Sequence, residues 1–113
     1  MIKRTHFQII FWLCLLSTVA LSLMPISGQQ VFEAQDKIGH ATVYATLYFL
    51  AVQAFGHRVP LWLLAALLVI FGLSMELAQS MTSYRFGDPW DLLANTVGVV
   101  VIWLVFSARR RWQ

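Results

Sequence analysis

The sequence predicts an all-α integral membrane bundle of four transmembrane helices, with the N- and C-termini both cytoplasmic. Three observations carry this expectation. The 113-residue chain is 59% hydrophobic and only 12% charged, about half the charged content of an ordinary soluble domain, and its mean hydropathy is +0.70. A single water-soluble domain of this length could not hide so much apolar surface. Four separate runs are long and apolar enough, or nearly so, for a hydrocarbon core that takes about 20 residues per helix. The basic residues, finally, are shared unequally between the two ends that such a bundle would have.

The runs are 7–24, 38–55, 61–79 and 90–107, and together they make one transmembrane domain over residues 1–113. The first also fits a signal peptide, since Lys3-Arg4 precede it and Ser27-Gly28 follow. Its apolar stretch exceeds the usual core of about 7–15 residues, and Pro25 crowds the plausible cleavage site, so a retained span is the better reading. Each connector carries chain-breaking residues: Pro25 and Gly28, then Gly56 and Pro60, then Gly87 and Pro89. Cys14 stands alone inside an apolar run, which excludes an intrachain disulfide and leaves it as a small hydrophobe.

Orientation follows from charge. One end of an up-and-down bundle receives Lys3, Arg4, Arg58, Arg109, Arg110 and Arg111, while the other receives Lys37 and Arg85. Basic residues in short connectors stay cytoplasmic, which puts Lys37, Arg85 and all five acidic residues on the outer face. Trp62 and Trp112 then fall near the inner boundary and Trp90 near the outer one, where interfacial indoles belong. The net charge of +3 is accounted for by these flanks and gives no reason to expect nucleic acid as a partner; the expected partner is membrane lipid.

Polar residues within the helices are the informative ones. Asp36, His40 and Tyr44 recur at i, i+4 and i+8 on the second span, and Tyr48 extends the stripe. Glu76 and Gln79 lie at i, i+3 near the outer end of the third. Asp88, Asp91, Asn95 and Gly98 share one face of the fourth. If these stripes face one another, they line a pocket open to the outside, with Lys37 and Arg85 at its rim.

A plainer account exists for several of them. Asp88-Pro89 reads as a helix cap, and Asp91 suits the dipole of a first turn. Asn95 lies about 10 Å beyond the cap, and a carboxylate such as Glu76 is costly away from the interface, about 2.5–3.5 kcal/mol at mid-membrane. That cost suggests that Glu76 faces the bundle, with Arg85, Lys37 or His40 as partner. Tyr44 and Tyr48 taken alone read as packing aromatics. The whole cluster could also be a polar clasp that holds the helices in register, although contacts between spans average only about 0.6 kcal/mol.

For metal binding the cluster has donors but no second histidine at i, i+4 and no cysteine, so no metal or other cofactor is expected. For catalysis His40 could serve as a base and Arg85 with Lys37 could hold a phosphate, but no nucleophile-elbow, phosphate-loop or dinucleotide signature is present.

Asp36-Lys37-x-x-His40-x-x-x-Tyr44, followed by Glu76-x-x-Gln79, Arg85, Asp88, Asp91, Asn95 and Gly98, resembles the pattern of the VanZ-like family over roughly residues 33–105. The chain departs from it at Ile102, where a second small residue would follow Gly98. The resemblance implies a small multi-pass protein of the bacterial cytoplasmic membrane and cell envelope, in a family named for a protein linked to glycopeptide resistance. It brings with it no established catalytic activity to carry over to these residues, so the resemblance leaves catalysis undecided. The reading reached here is a protein whose outer pocket binds a lipid head group, a cell-wall precursor or a glycopeptide-type ligand. The alternatives are a membrane enzyme acting on a lipid-linked phosphate and a structural partner of another membrane protein or of a second copy.

Overall fold

The computed structural model describes residues 3–23, 33–81 and 89–111, with the side chains of 33–37, 89 and 111 outside that description. Four helices account for nearly all of it: α1 Arg4–Leu23, α2 Glu33–Phe55, α3 Leu61–Ser80 and α4 Pro89–Arg111. No strand occurs among the described residues. Each helix contains a window long and apolar enough to cross a membrane. At 1.5 Å per residue the 23 residues of α2 reach about 34 Å, enough for a core about 30 Å thick. α2 begins five residues before the apolar run and α4 ends four residues after it. Charged residues at these ends extend the helices into the head-group zone, where they cost little.

The turn 56–60 reverses the chain between α2 and α3. Arg58 and Val59 both donate backbone N–H groups to the Phe55 carbonyl, at 3.0 and 2.9 Å. Pro60 then stands in extended conformation at the N-cap of α3, where its missing N–H is not needed.

α2 is the central helix. It packs against each of the other three, whereas no Cα atoms of α1 and α4 come within 8 Å of each other among the described residues. Its spanning window is 39% buried, against 6% for α1, and Tyr44, Leu47, Tyr48, Ala51 and Ala54 are shut off from the surroundings. Leu61, Leu64 and Leu68 of α3 and Val99 of α4 complete the same core. The outer faces remain apolar: Trp12, Leu16, Ile70 and Leu104 are all more than half exposed, as suits helices solvated by lipid tails.

With hydrocarbon outside as apolar as the core, association depends on close packing and polar bonds between helices. Two glycines provide the packing. A Cβ at Gly98 would run into the Ala41 backbone, lying 3.0 Å from its carbonyl carbon and 3.1 Å from its Cα. α4 therefore rests directly on the backbone of α2. A Cβ at Gly72 would come within 3.2 Å of the Tyr44 ring and 3.4 Å of Asn95 Nδ2. Ile102, one turn beyond Gly98, packs against the buried cluster, so the departure from small residues does not separate α4 from the core.

Helix ends supply polar bonds. The last carbonyls of a helix have no partner within it, and other helices reach them. Gln8 of α1 donates Nε2–H to Ala54 O at 3.2 Å. Gln79 of α3 donates Nε2–H to Ser22 O in the last turn of α1 at 2.9 Å. The buried Tyr48 hydroxyl donates to Leu61 O at 3.1 Å, tying α2 to the start of α3. Thr18, Thr42, Thr46, Ser74 and Thr96 satisfy their hydroxyls on the carbonyl four residues earlier, a way of hiding a polar group inside a span.

Candidate functional site

The polar stripes of α2 and α4 meet near the acidic end of the bundle. Their encounter follows from the packing just described: Gly98 brings α4 onto Ala41, which places the preceding turns of α4 beside His40. His40 Nδ1 lies 3.0 Å from Asn95 Oδ1, and Nε2 lies 3.6 Å from Asp91 Oδ2. The first is a formed hydrogen bond, and the second is too long for one. With a proton on Nδ1 the ring donates to Asn95; the doubly protonated ring would donate toward Asp91 as well. Asp91 and Asn95 are buried, at 7% and 3% exposure, while the His40 side chain keeps 23% of its surface open. His40 is thus the accessible edge of a group whose other members are enclosed.

Asp91 sits in the first turn of α4, so it serves both readings of that position at once. Its charge complements the helix N-terminus, and its carboxylate faces an imidazole from another helix.

α3 divides its polar face between two neighbours. Glu76, partly buried, acts electrostatically on the Tyr44 hydroxyl. Gln79, 4% exposed, turns to Ser22 of α1. Of the expected stripes, Tyr44, Gln79, Asp91 and Asn95 are buried, and Gln79 and Asn95 contact neighbouring helices directly. Tyr44 and Tyr48 are fully enclosed, with Phe71 at 6.0 Å from the first ring and Phe106 at 6.5 Å from the second, as packing aromatics would be. Asp36 and Lys37 are on the first turns of α2, with side chains outside the described part; Arg85 and Asp88 lie outside the described residues altogether. Among the described residues no group of histidine, cysteine and carboxylates is arranged to hold a metal ion, and every buried side-chain polar atom has a hydrogen-bond partner.

Gly72 and Ser22 contribute to this end and were not singled out by the sequence. The signal for Gly72 was available, because it shares the i, i+4, i+7 face of Glu76 and Gln79 and is a small residue in mid-span. Ser22 contributes only a backbone carbonyl, which no side-chain pattern can reveal.

The fold and this cluster define a small multi-pass membrane protein whose helices are joined by a buried polar group near one end of the bundle. A family model described as VanZ/LLP1 matches residues 3–110, nearly the whole chain, and the chain belongs to that family. Comparisons with curated proteins and with solved structures find no match.

Proposed function

We propose that this VanZ/LLP1 protein resides in the bacterial cytoplasmic membrane, as a non-enzymatic component of the cell envelope. Its polar cluster, facing outward, binds a polar or anionic group: a lipid head group, a cell-wall precursor or a glycopeptide-type ligand. The observation that carries the reading is the pairing of His40 with Asn95 and Asp91 across α2 and α4. Ionisable groups within spans are expensive, and a simple clasp needs neither a histidine nor a carboxylate. The imidazole and the Asp91 carboxylate, 3.6 Å apart, together offer a donor and an acceptor at the partly exposed edge of the cluster. Lys37, Arg85, Asp36 and Asp88 belong to the rim on this reading, and Glu76 with Tyr44 and Gln79 to its wall.

One observation favours the second reading, catalysis on a lipid-linked phosphate: a carboxylate facing a histidine nitrogen is the usual means of orienting a base. Here, however, Asn95 occupies Nδ1 and Asp91 faces Nε2. A proton taken from a substrate would have to arrive at the nitrogen that already faces a carboxylate. Binding is the better use of this geometry.

The test uses the purified full chain with a lipid-linked cell-wall precursor, followed by native mass spectrometry for binding and by phosphate release for turnover. His40→Arg keeps a positive donor but cannot act as a base. It should retain more binding than His40→Ala, with no turnover in the wild type. Turnover abolished by both substitutions would establish the enzyme reading. Loss of folded protein in Asn95→Ala and Glu76→Gln, with no binding by the wild type, would reduce the cluster to a clasp. Reporter fusions after Gln113 should report cytoplasm; an external C-terminus would turn the cluster to the wrong face.

A further inference from the structure

At the opposite end of the bundle three arginines gather, and no acidic side chain lies there among the described residues. Arg4 opens α1, Arg58 lies in the turn between α2 and α3, and Arg110 is in the last turn of α4; all three are exposed. Their segments converge. Arg110 Nη2 donates to Gly56 O at 3.4 Å, so α4 leans over the turn, and Gln8 holds the start of α1 to the end of α2 through Ala54 O. Arg4 and Arg58 both act on His57, whose imidazole is held below its ordinary value by desolvation, then Arg4, then Arg58.

Acidic side chains lie far away. Glu76 is 15 residues along α3 from Leu61, Asp36 is 19 residues before Phe55 at the end of α2, and Asp91 is 19 residues before Arg110. At 1.5 Å per residue these offsets are about 22–28 Å, more than two Debye lengths of about 8 Å at physiological salt. No described acidic side chain therefore screens these arginines, and an anion from the surrounding leaflet is the counter-charge that fits them. Trp62, in the first turn of α3 and 61% exposed, fixes what surrounds them, since an exposed indole at the end of a span belongs at head-group depth.

We propose that Arg4, Arg58 and Arg110 form a binding site for the phosphate of an anionic phospholipid in the leaflet that surrounds this end. Arginine suits the role because its planar fork pairs with phosphate oxygens through two N–H groups at once. The site has a structural consequence: no Cα atoms of α1 and α4 lie within 8 Å of each other among the described residues, and a phosphate shared by Arg4 and Arg110 links these helices through the lipid. A head group with two phosphates satisfies three arginines better than one with a single phosphate. The site is independent of the His40 cluster and of the direction in which the bundle crosses the membrane.

The full chain, purified in a neutral detergent and stripped of lipid, is titrated with cardiolipin, phosphatidylglycerol, phosphatidylcholine and inorganic phosphate, reading bound lipid by native mass spectrometry and thermal stability. The wild type should retain the two anionic lipids, cardiolipin more tightly, and lose them as salt rises from about 0.1 M to about 1 M. Each basic residue near an anionic surface is worth about fivefold, so Arg4→Gln/Arg58→Gln/Arg110→Gln should weaken binding between about 5-fold and 100-fold. The matching triple lysine variant should keep most of it. Equal retention of phosphatidylcholine, binding indifferent to salt, or an unchanged affinity in the glutamine variant would each overturn the proposal. Displacement of the lipid by millimolar inorganic phosphate would show a site for free phosphate and would overturn the lipid assignment.

Discussion

Replacing Gly98 with alanine tests the contact on which the outer cluster depends. The added Cβ meets backbone atoms of Ala41, at 3.0 Å from the carbonyl carbon and 3.1 Å from Cα and closer still to the oxygen. No side-chain rotation can relieve this, so α4 must move away from α2. Overpacking of this kind costs about 1–3 kcal/mol. The same movement stretches the 3.0 Å His40–Asn95 bond, worth about 0.6 kcal/mol for a contact between spans. Against these, alanine gains about 1 kcal/mol over glycine in helix propensity, leaving a net loss of about 0.6–2.6 kcal/mol. Gly39→Ala is the internal control: it has the same propensity gain on the same pair of helices, and its Cβ meets nothing within 4 Å. The difference between the two variants removes propensity and isolates the clash with the lost bond, about 1.6–3.6 kcal/mol, or a factor of roughly 15 or more in the folding equilibrium. Reversible unfolding in mixed micelles, followed by helical circular dichroism, measures both. Equal stability of the two alanine variants would refute the backbone-to-backbone approach of α2 and α4, and with it the physical basis for the His40–Asn95–Asp91 cluster.

Gln79→Leu preserves apolar volume but leaves the Ser22 carbonyl without its partner; a loss of about 1 kcal/mol in the same unfolding assay is expected, with α1 cleaved sooner by added protease, and unchanged protease sensitivity would show that Gln79 does not hold α1. Tyr48→Phe removes a buried hydroxyl from Leu61 O and should cost between about 0.6 and 1.5 kcal/mol, without changing ligand binding at the other end. His57 titrates below its ordinary value in the folded protein through desolvation, Arg4 and Arg58, so the unfolded chain binds more protons between the folded value and about 6.5. Stability from this residue is therefore present above pH 6.5 and falls as pH is lowered toward the folded value; NMR titration should show the depressed value, relaxing upward in Arg4→Gln.

Much of this protein is legible without coordinates. The solvent, the number of helices and their approximate limits follow from apolar runs whose length must match a bilayer, a constraint that acts on the chain segment by segment. The polar positions were also legible, because an ionisable or amide side chain such as His40 or Asn95 within a span stands out against its surroundings, and helical periodicity assigns it to a face. Periodicity cannot say which faces meet. Only the tertiary structure decided that α2 is central, that His40 takes Asn95 and Asp91 from α4, and that Gln79 turns away from them to the end of α1. Those choices depend on how closely two backbones can approach, which the absent side chains of Gly98 and Gly72 permit, and on which terminal carbonyls lie within reach of another helix. A carbonyl is common to every residue and an interhelical distance belongs to none, so neither leaves a mark in the order of the amino acids.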